Sequence, residues 1–189
     1  KIKNLAKWCN EFNIDYLSVW ILSTENAEKR KKEIKNLMKL FREALDKVLN
    51  EEKKYKVRLR FIGDLSFFPE DIKKKMKEVE EKTKAYKKQI LILANYGGRK
   101  EIVDAVNKVL KSGVKSISEE EFKKYLYAPD VPDPDLIIRT SERRLSGLYP
   151  WQGVYSEIYF SKKLWPDFEK KDFEKALEDF KKRKRKFGK

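Results

Sequence analysis

Histidine is absent from this chain, and cysteine occurs once, as Cys9, in 189 residues. Without imidazole there is no histidine-ligated metal site and no Ser-His or Cys-His nucleophilic catalysis. A single cysteine cannot form a disulfide within the chain, so a reducing cytosol is the natural setting. No apolar run approaches the ~20 residues of a membrane-spanning helix, and the first residues do not read as a signal peptide. The expectation is a soluble, cytoplasmic protein, at most peripheral to a membrane.

What the chain has in excess is charge. Charged residues make up 41% of it, with 46 Lys and Arg against 31 Asp and Glu, a formal net charge of +15. Such a balance favours polyanions, and net charge alone does not separate nucleic acid, an anionic membrane and diphosphate substrates. The Lys and Glu bias fits the surface networks of thermophile proteins. The length suits one domain, residues 1–189, with no repeat, linker or low-complexity segment beyond the basic tail from Lys181 to Gly188.

Apolar spacing predicts the elements. Ile2, Leu5, Ala6, Cys9 and Phe12 recur at helical spacing before a continuous apolar run from Tyr16 to Leu22 that reads as a strand. Ile34, Leu37, Met38, Phe41, Leu45, Val48 and Leu49 form an amphipathic helix stripe, and Val57 to Ile62 alternates as a strand before Gly63-Asp64. A helix is predicted from Pro69 to about Tyr86, a buried strand over Gln89 to Ala94, and a helix after Asn95-Tyr-Gly97-Gly98 that Gly113 ends. Ser118 and Glu121 have capping-box spacing for a short helix to Tyr127. Leu136 to Ile138 reads as a strand after a proline-stiffened loop, and Phe173, Ala176, Leu177 and Phe180 as a final helix. Alternating strands and helices imply an α/β fold, a single domain with a largely parallel central sheet flanked by helices.

Four segments are candidates for chemistry, each with a plainer reading beside it. Arg139, Arg144 and Ser146 follow the strand at Leu136 to Ile138, where forked guanidinium donors and a hydroxyl suit a diphosphate; a surface loop pairing its arginines with Glu142 or Asp135 is the alternative. Ser23-Thr24-Glu25-Asn26 places polar groups beyond the first strand, as a ligand loop or as a common helix cap. Gly97-Gly98 either opens a helix N-terminus toward an anion or makes a tight turn. Glu157 sits in an apolar setting where an unpaired carboxylate is expensive, as a metal ligand or as one half of a salt bridge. The basic tail reads by itself as a solvated helix end.

Taken together, these segments resemble the cis-prenyltransferases, the undecaprenyl diphosphate synthase family. Asp135-Leu-Ile-Ile-Arg139-Thr-Ser-Glu-Arg143-Arg144-Leu-Ser146, then Trp151-Gln-Gly-Val-Tyr-Ser-Glu157-Ile-Tyr-Phe160 and Trp165-Pro-Asp-Phe168, are similar to the family's D-L-x-I-R-T-x-G-E-x-R-x-S-N-F, W-Q-x-x-Y-x-E-x-Y-F and W-P-D-F. Ser23-Thr24-Glu25-Asn26 with Glu33 to Leu40 resembles S-x-E-N and E-x-x-x-L-M-x-L. Val57 to Asp64 and Asn95 to Arg99 resemble V-R-x-x-x-x-G-D and N-Y-G-G-R. The likeness spans nearly the whole chain.

The resemblance implies an enzyme that condenses isopentenyl diphosphate with an allylic diphosphate, farnesyl or geranylgeranyl, into a long-chain Z-polyprenyl diphosphate with Mg²⁺. Asn26 would stand by the reacting carbon. Ser23, Thr24, Glu25 and Lys29 or Arg30 would line the allylic site, and Arg139, Arg144, Leu145 and Ser146 would bind isopentenyl diphosphate. Glu157 would be the metal ligand. Leu37, Met38 and Phe41 are candidates for tunnel walls, with ordinary core as their default. A homodimer and peripheral membrane contact for the lipid product are further implications.

Several positions depart from the family pattern. The family's first strand and its M-D-G-N-x-R-W loop have no counterpart, which leads us to expect a chain that begins partway along the family's length. Thr140-Ser-Glu-Arg is one glycine shorter than R-T-x-G-E, Arg143 stands where a metal-binding His is common, Gly147 replaces an Asn, Ala27 an aromatic, and Lys186 the Arg of a terminal R-x-G. Two other readings are a non-catalytic dimer partner or incomplete fragment of the family, and a basic nucleic-acid-binding domain. The last ranks lowest, because no aromatics interleave the basic tail as base stacking would require.

Overall fold

A computed structural model describes residues 2–29 and 31–185. Arg30 and Lys186, and the side chain of Lys29, lie outside the described residues. The chain falls into two compact units, Lys1–Pro129 and Asp130–Lys189.

The first unit runs α1 (Ile2–Glu11), β1 (Tyr16–Trp20), α2 (Thr24–Lys29), α3 (Lys31–Glu51), β2 (Arg58–Ile62), α4 (Glu70–Thr83), β3 (Gln89–Leu93), α5 (Gly98–Ser112) and α6 (Glu119–Lys123). Its sheet has the order β1-β3-β2, parallel throughout, with Trp20 and Ile62 both in register with Leu93. Central position explains the composition of β3: Ile90 to Leu93 are all buried, and a parallel strand covered on both faces has no polar side to show. Helix stripes supply the cover, with Leu5, Ala6 and Cys9 from α1, Met38, Phe41 and Leu45 from α3, and Ile72, Met76 and Val79 from α4 all buried. Each large apolar side chain buried in this way stabilises the fold by about 1.5–3 kcal/mol.

The outer edge of β2 is closed by side chains of α4. Glu80 accepts from the Phe61 N–H at 2.7 Å, and the Thr83 hydroxyl accepts from the Leu59 N–H at 3.0 Å while donating to the Val79 carbonyl at 2.8 Å. Edge donors that would otherwise invite another strand are thereby taken up.

Of the two readings of Ser23-Thr24-Glu25-Asn26, the helix cap forms: the Ser23 hydroxyl accepts from the Asn26 N–H at 3.1 Å at the start of α2. Element boundaries differ from expectation in two places. The helix at α4 starts after Pro69 and stops at Thr83, short of Tyr86. The Ser118–Glu121 capping box forms, yet α6 stops at Lys123 and the chain continues in three-residue turns to Leu126, since the Tyr127 N–H is drawn to Glu101 at 3.0 Å.

The second unit contains β4 (Leu136–Thr140), β5 (Glu157–Ser161) and α7 (Lys170–Lys182). The two strands pair in parallel, with Arg139 opposite Phe160. Periodicity gave no sign of β5, which mixes one carboxylate with two aromatics over only five residues. Glu169 and Asp172 form a capping box at the start of α7, and Lys163 reaches Asp172 at 2.8 Å. Ile137, Phe168, Phe173 and Ala176 are buried in this unit.

Candidate functional site

Because β1, β2 and β3 run parallel, their carboxyl ends share one edge, the edge at which open α/β sheets bind ligands. Three loops meet there. Ser23 bridges to Tyr96, the Tyr96 N–H donates to the Leu22 carbonyl at 3.0 Å, and the Tyr96 carbonyl accepts from Thr24 N–H at 3.4 Å and from Trp20 Nε1–H at 3.1 Å. A Cβ on Gly97 would lie 2.3 Å from Thr24 Oγ1, so glycine is what lets this turn approach the Ser23–Asn26 segment. Gly63, at φ +139°, would carry a Cβ 2.2 Å from the Ala94 carbonyl oxygen. Asn95 accepts a left-handed φ of 50° and donates from its side chain to the Asp64 carbonyl at 3.0 Å.

The predicted residues of this loop divide by exposure. Ser23 is buried and occupied as a helix cap, whereas Glu25 and Asn26 are exposed. Thr24 donates to Glu25 at 3.3 Å. Ala27 is buried, so the position where the family has an aromatic faces the interior here.

Behind the loops lies a polar network that sequence reading missed. Tyr96 Oη donates to Glu101 Oε2 at 2.6 Å, and Glu101, 2% exposed, accepts the Tyr127 N–H on its other oxygen. Tyr127 Oη donates to Asp104, and Lys100 pairs with Asp104 at 2.8 Å and with Asp64 at 3.5 Å. Burial, followed by the neighbouring Asp104, pushes the Tyr127 phenol well above its usual range. The Ser66 hydroxyl, with Lys100 beyond it, holds the Asp64 carboxyl below its ordinary value. One signal was available: Glu101 lies on the face of α5 that also buries Gly98 and Ala105, and a carboxylate on such a face needs partners.

In the second unit Arg139 is the penultimate residue of β4. Arg139 Nη2 donates to Glu142 Oε2 at 2.5 Å and Arg144 Nη2 to Glu142 Oε1 at 2.7 Å, so two of the predicted diphosphate ligands converge on one carboxylate. Pairing with Glu142, the plainer reading of this loop, is therefore what the side chains do here. Leu145 is half-buried and Ser146 exposed. Ser141, Ser146 and Tyr149 all take positive φ, at 64°, 55° and 49°. In the shortened loop Ser141 takes left-handed geometry, held by its N–H donating to the Ser161 and Lys163 carbonyls, each at 3.0 Å.

Glu157 opens β5 and pairs with Arg183 at 2.8 Å; Arg183 also reaches Asp179 at 2.6 Å and the Ile158 carbonyl at 3.1 Å. Arg185 pairs with Asp135. Within the described residues, Arg183 and Arg185 of the tail are therefore held by ion pairs, where the sequence suggested a solvated helix end. No cluster of three or more metal-ligating side chains occurs among the described residues. A lone carboxylate still fits Mg²⁺, which takes most of its ligands from water and substrate phosphates.

Comparison with known proteins agrees with these motifs. Residues 1–188 match the family described as "Putative undecaprenyl diphosphate synthase". The chain is 50% identical over 193 residues to an isoprenyl transferase of Thermotoga maritima, covering 99% of this chain and 83% of that protein. It is 40% identical to a "Tritrans,polycis-undecaprenyl-diphosphate synthase (geranylgeranyl-diphosphate specific)" of Picrophilus torridus, covering 100% of this chain and 78% of the relative. The Lys- and Glu-rich composition is in keeping with such sources. Among solved structures, a "probable undecaprenyl diphosphate synthase" from Campylobacter jejuni superposes with a TM-score of 0.89 at 37% identity, covering 100% of this chain and 90% of that one. The chain belongs to the undecaprenyl diphosphate synthase family of prenyltransferases.

Proposed function

We propose that this prenyltransferase condenses isopentenyl diphosphate with a farnesyl or geranylgeranyl diphosphate primer to give a long-chain Z-polyprenyl diphosphate. The observation that carries the reading is the convergence of Arg139 and Arg144 on a single pair of anionic oxygens at the carboxyl end of β4. Planar forked donors match phosphate oxygens two at a time, which a lysine would not do. In this reading Arg139, Arg144, Leu145 and Ser146 hold isopentenyl diphosphate. Ser23 sets the direction of α2, so that the exposed Glu25 and Asn26 project at the sheet edge with Thr24 toward the allylic substrate; Lys29 or Arg30 supplies positive charge to its diphosphate.

The reaction needs the allylic carbon to lose its diphosphate, the isopentenyl double bond to attack it, and the resulting cation to lose a proton. Asn26 stands by that carbon. Glu157 is the side chain that would hold Mg²⁺, on release of Arg183; when bound, the metal neutralises diphosphate charge and assists its departure. A homodimer, a cytoplasmic setting and peripheral contact with a membrane that receives the lipid complete the proposal. No helix among the described residues is long and apolar enough to cross a membrane.

The test is incorporation of radiolabelled isopentenyl diphosphate into solvent-extractable lipid with Mg²⁺ and either primer, comparing this chain with one that carries the family's N-terminal segment. Labelled polyprenyl product that disappears in Arg139→Ala supports the assignment. Silence in both chains would place the protein with the non-catalytic partners of the family.

A further inference from the structure

Glu142 occupies the position that the proposed function reserves for a diphosphate. Its two carboxylate oxygens each accept from a different arginine, Oε2 from Arg139 at 2.5 Å and Oε1 from Arg144 at 2.7 Å. Two donors from separate guanidinium groups on one compact anion is the contact set that two phosphoryl groups would make. Burial contributes only on the Arg139 side: that side chain is 21% exposed, Glu142 37% and Arg144 71%. The carboxylate is placed by the backbone. Ser141 turns through a left-handed φ of 64° under two carbonyls, and Glu142 N–H donates to the Thr140 carbonyl at 2.8 Å. The side chain is thus returned toward the strand end that carries Arg139.

We propose that Glu142 is a built-in competitor for the diphosphate, holding Arg139 and Arg144 together until the incoming anion displaces it. The inference rests on the reading of these arginines as diphosphate ligands. A carboxylate with one charge and two oxygens holds the exposed Arg144 weakly and the part-buried Arg139 less weakly, and a diphosphate, with more charge and more acceptor oxygens, displaces it from both. Arg139 and Arg144, which would repel each other without an anion between them, remain at one place in the meantime. The consequence is a clamp that is preorganised in geometry but lowered in affinity by the need to release its own carboxylate.

The probe is Mg²⁺-free inorganic pyrophosphate, titrated calorimetrically into the full chain and into Glu142→Gln, Glu142→Ala and Arg139→Ala. Breaking the exposed Arg144 pair and the part-buried Arg139 pair before binding predicts that Glu142→Gln and Glu142→Ala bind pyrophosphate about tenfold more tightly than the parent chain, and Arg139→Ala more weakly. Equal or weaker binding by both Glu142 variants, with Arg139→Ala still weakened, would overturn the competitor role and leave the diphosphate reading standing. An Arg139→Ala variant that binds pyrophosphate as the parent does removes the diphosphate reading, and the inference with it.

Discussion

The Ser23–Asn26 edge and the Arg139–Ser146 loop carry the two halves of the proposed chemistry, and they are built by opposite means. At the first, backbone hydrogen bonds tie three loops together over buried Tyr96 and Glu101, and glycines allow contacts too close for any side chain. At the second, ion pairs between half-exposed side chains do the holding, on a backbone that puts serines and a tyrosine in left-handed geometry. Packed contacts tolerate little change in volume, whereas exposed ion pairs rearrange at small cost. The first loop is therefore a fixed platform and the second is adjustable by whatever anion arrives.

That contrast breaks most sharply at Gly63. Gly63→Ala places a Cβ 2.2 Å from the Ala94 carbonyl oxygen at a φ of +139°. A loss of about 3 kcal/mol in urea-denaturation stability is expected, combining overpacking with backbone strain. A loss under 0.5 kcal/mol would show that the platform yields as readily as the arginine loop.

Tyr96→Phe removes the hydroxyl that donates to Glu101 at 2.6 Å inside the network. The expected cost is about 1–3 kcal/mol, because a buried carboxylate oxygen loses its donor. Equal stability of the two proteins in the same denaturation experiment would mean that the network does not hold the edge.

On the other loop the sign reverses. Ser141→Gly relieves a left-handed serine at φ 64°, and a gain of up to about 1 kcal/mol is expected once the added freedom of the unfolded chain is set against it. Destabilisation on thermal melting would show that the serine geometry is held by more than its two backbone acceptors.

Acid sharpens the comparison least. Asp64 is held below its ordinary value by Ser66 and then Lys100, so its contribution is fully present above about 3.8 and is lost as pH falls through the lower, folded value. Asp64→Asn should lower stability at neutral pH, where the carboxylate contributes fully, and flatten the profile below pH 3.8, where that contribution is lost anyway. A profile identical to that of the parent would separate Asp64 from the fold's acid response.

The strands at Tyr16, Val57 and Gln89 and the helix stripes were legible in the sequence because burial imposes periodicity, and a central parallel strand such as β3 needs an uninterrupted apolar run. The candidate residues were legible as residue types in a familiar order. Their partners were legible only in part: Glu142 was one of two acids offered as the ion-pair partner of the arginines, whereas Arg183 was named only as part of a basic tail, and these two side chains hold Arg139, Arg144 and Glu157. Nor did periodicity show β5, whose five residues are too few and too mixed for either a period of two or an apolar run.

The sequence by itself determined the alternation of strand and helix, the parallel sheet and the family, since these follow from local patterning and from motifs whose order survives without coordinates. Tertiary structure alone chose the helix cap among the readings open at Ser23, brought Gly97 so close to the Thr24 side chain that a Cβ would crowd it, and put one carboxylate between two arginines. The physical reason is range: periodicity reports what a residue does with its near neighbours in the chain. Hydrogen bonds, ion pairs and close approaches depend on where the folded backbone brings side chains together in space.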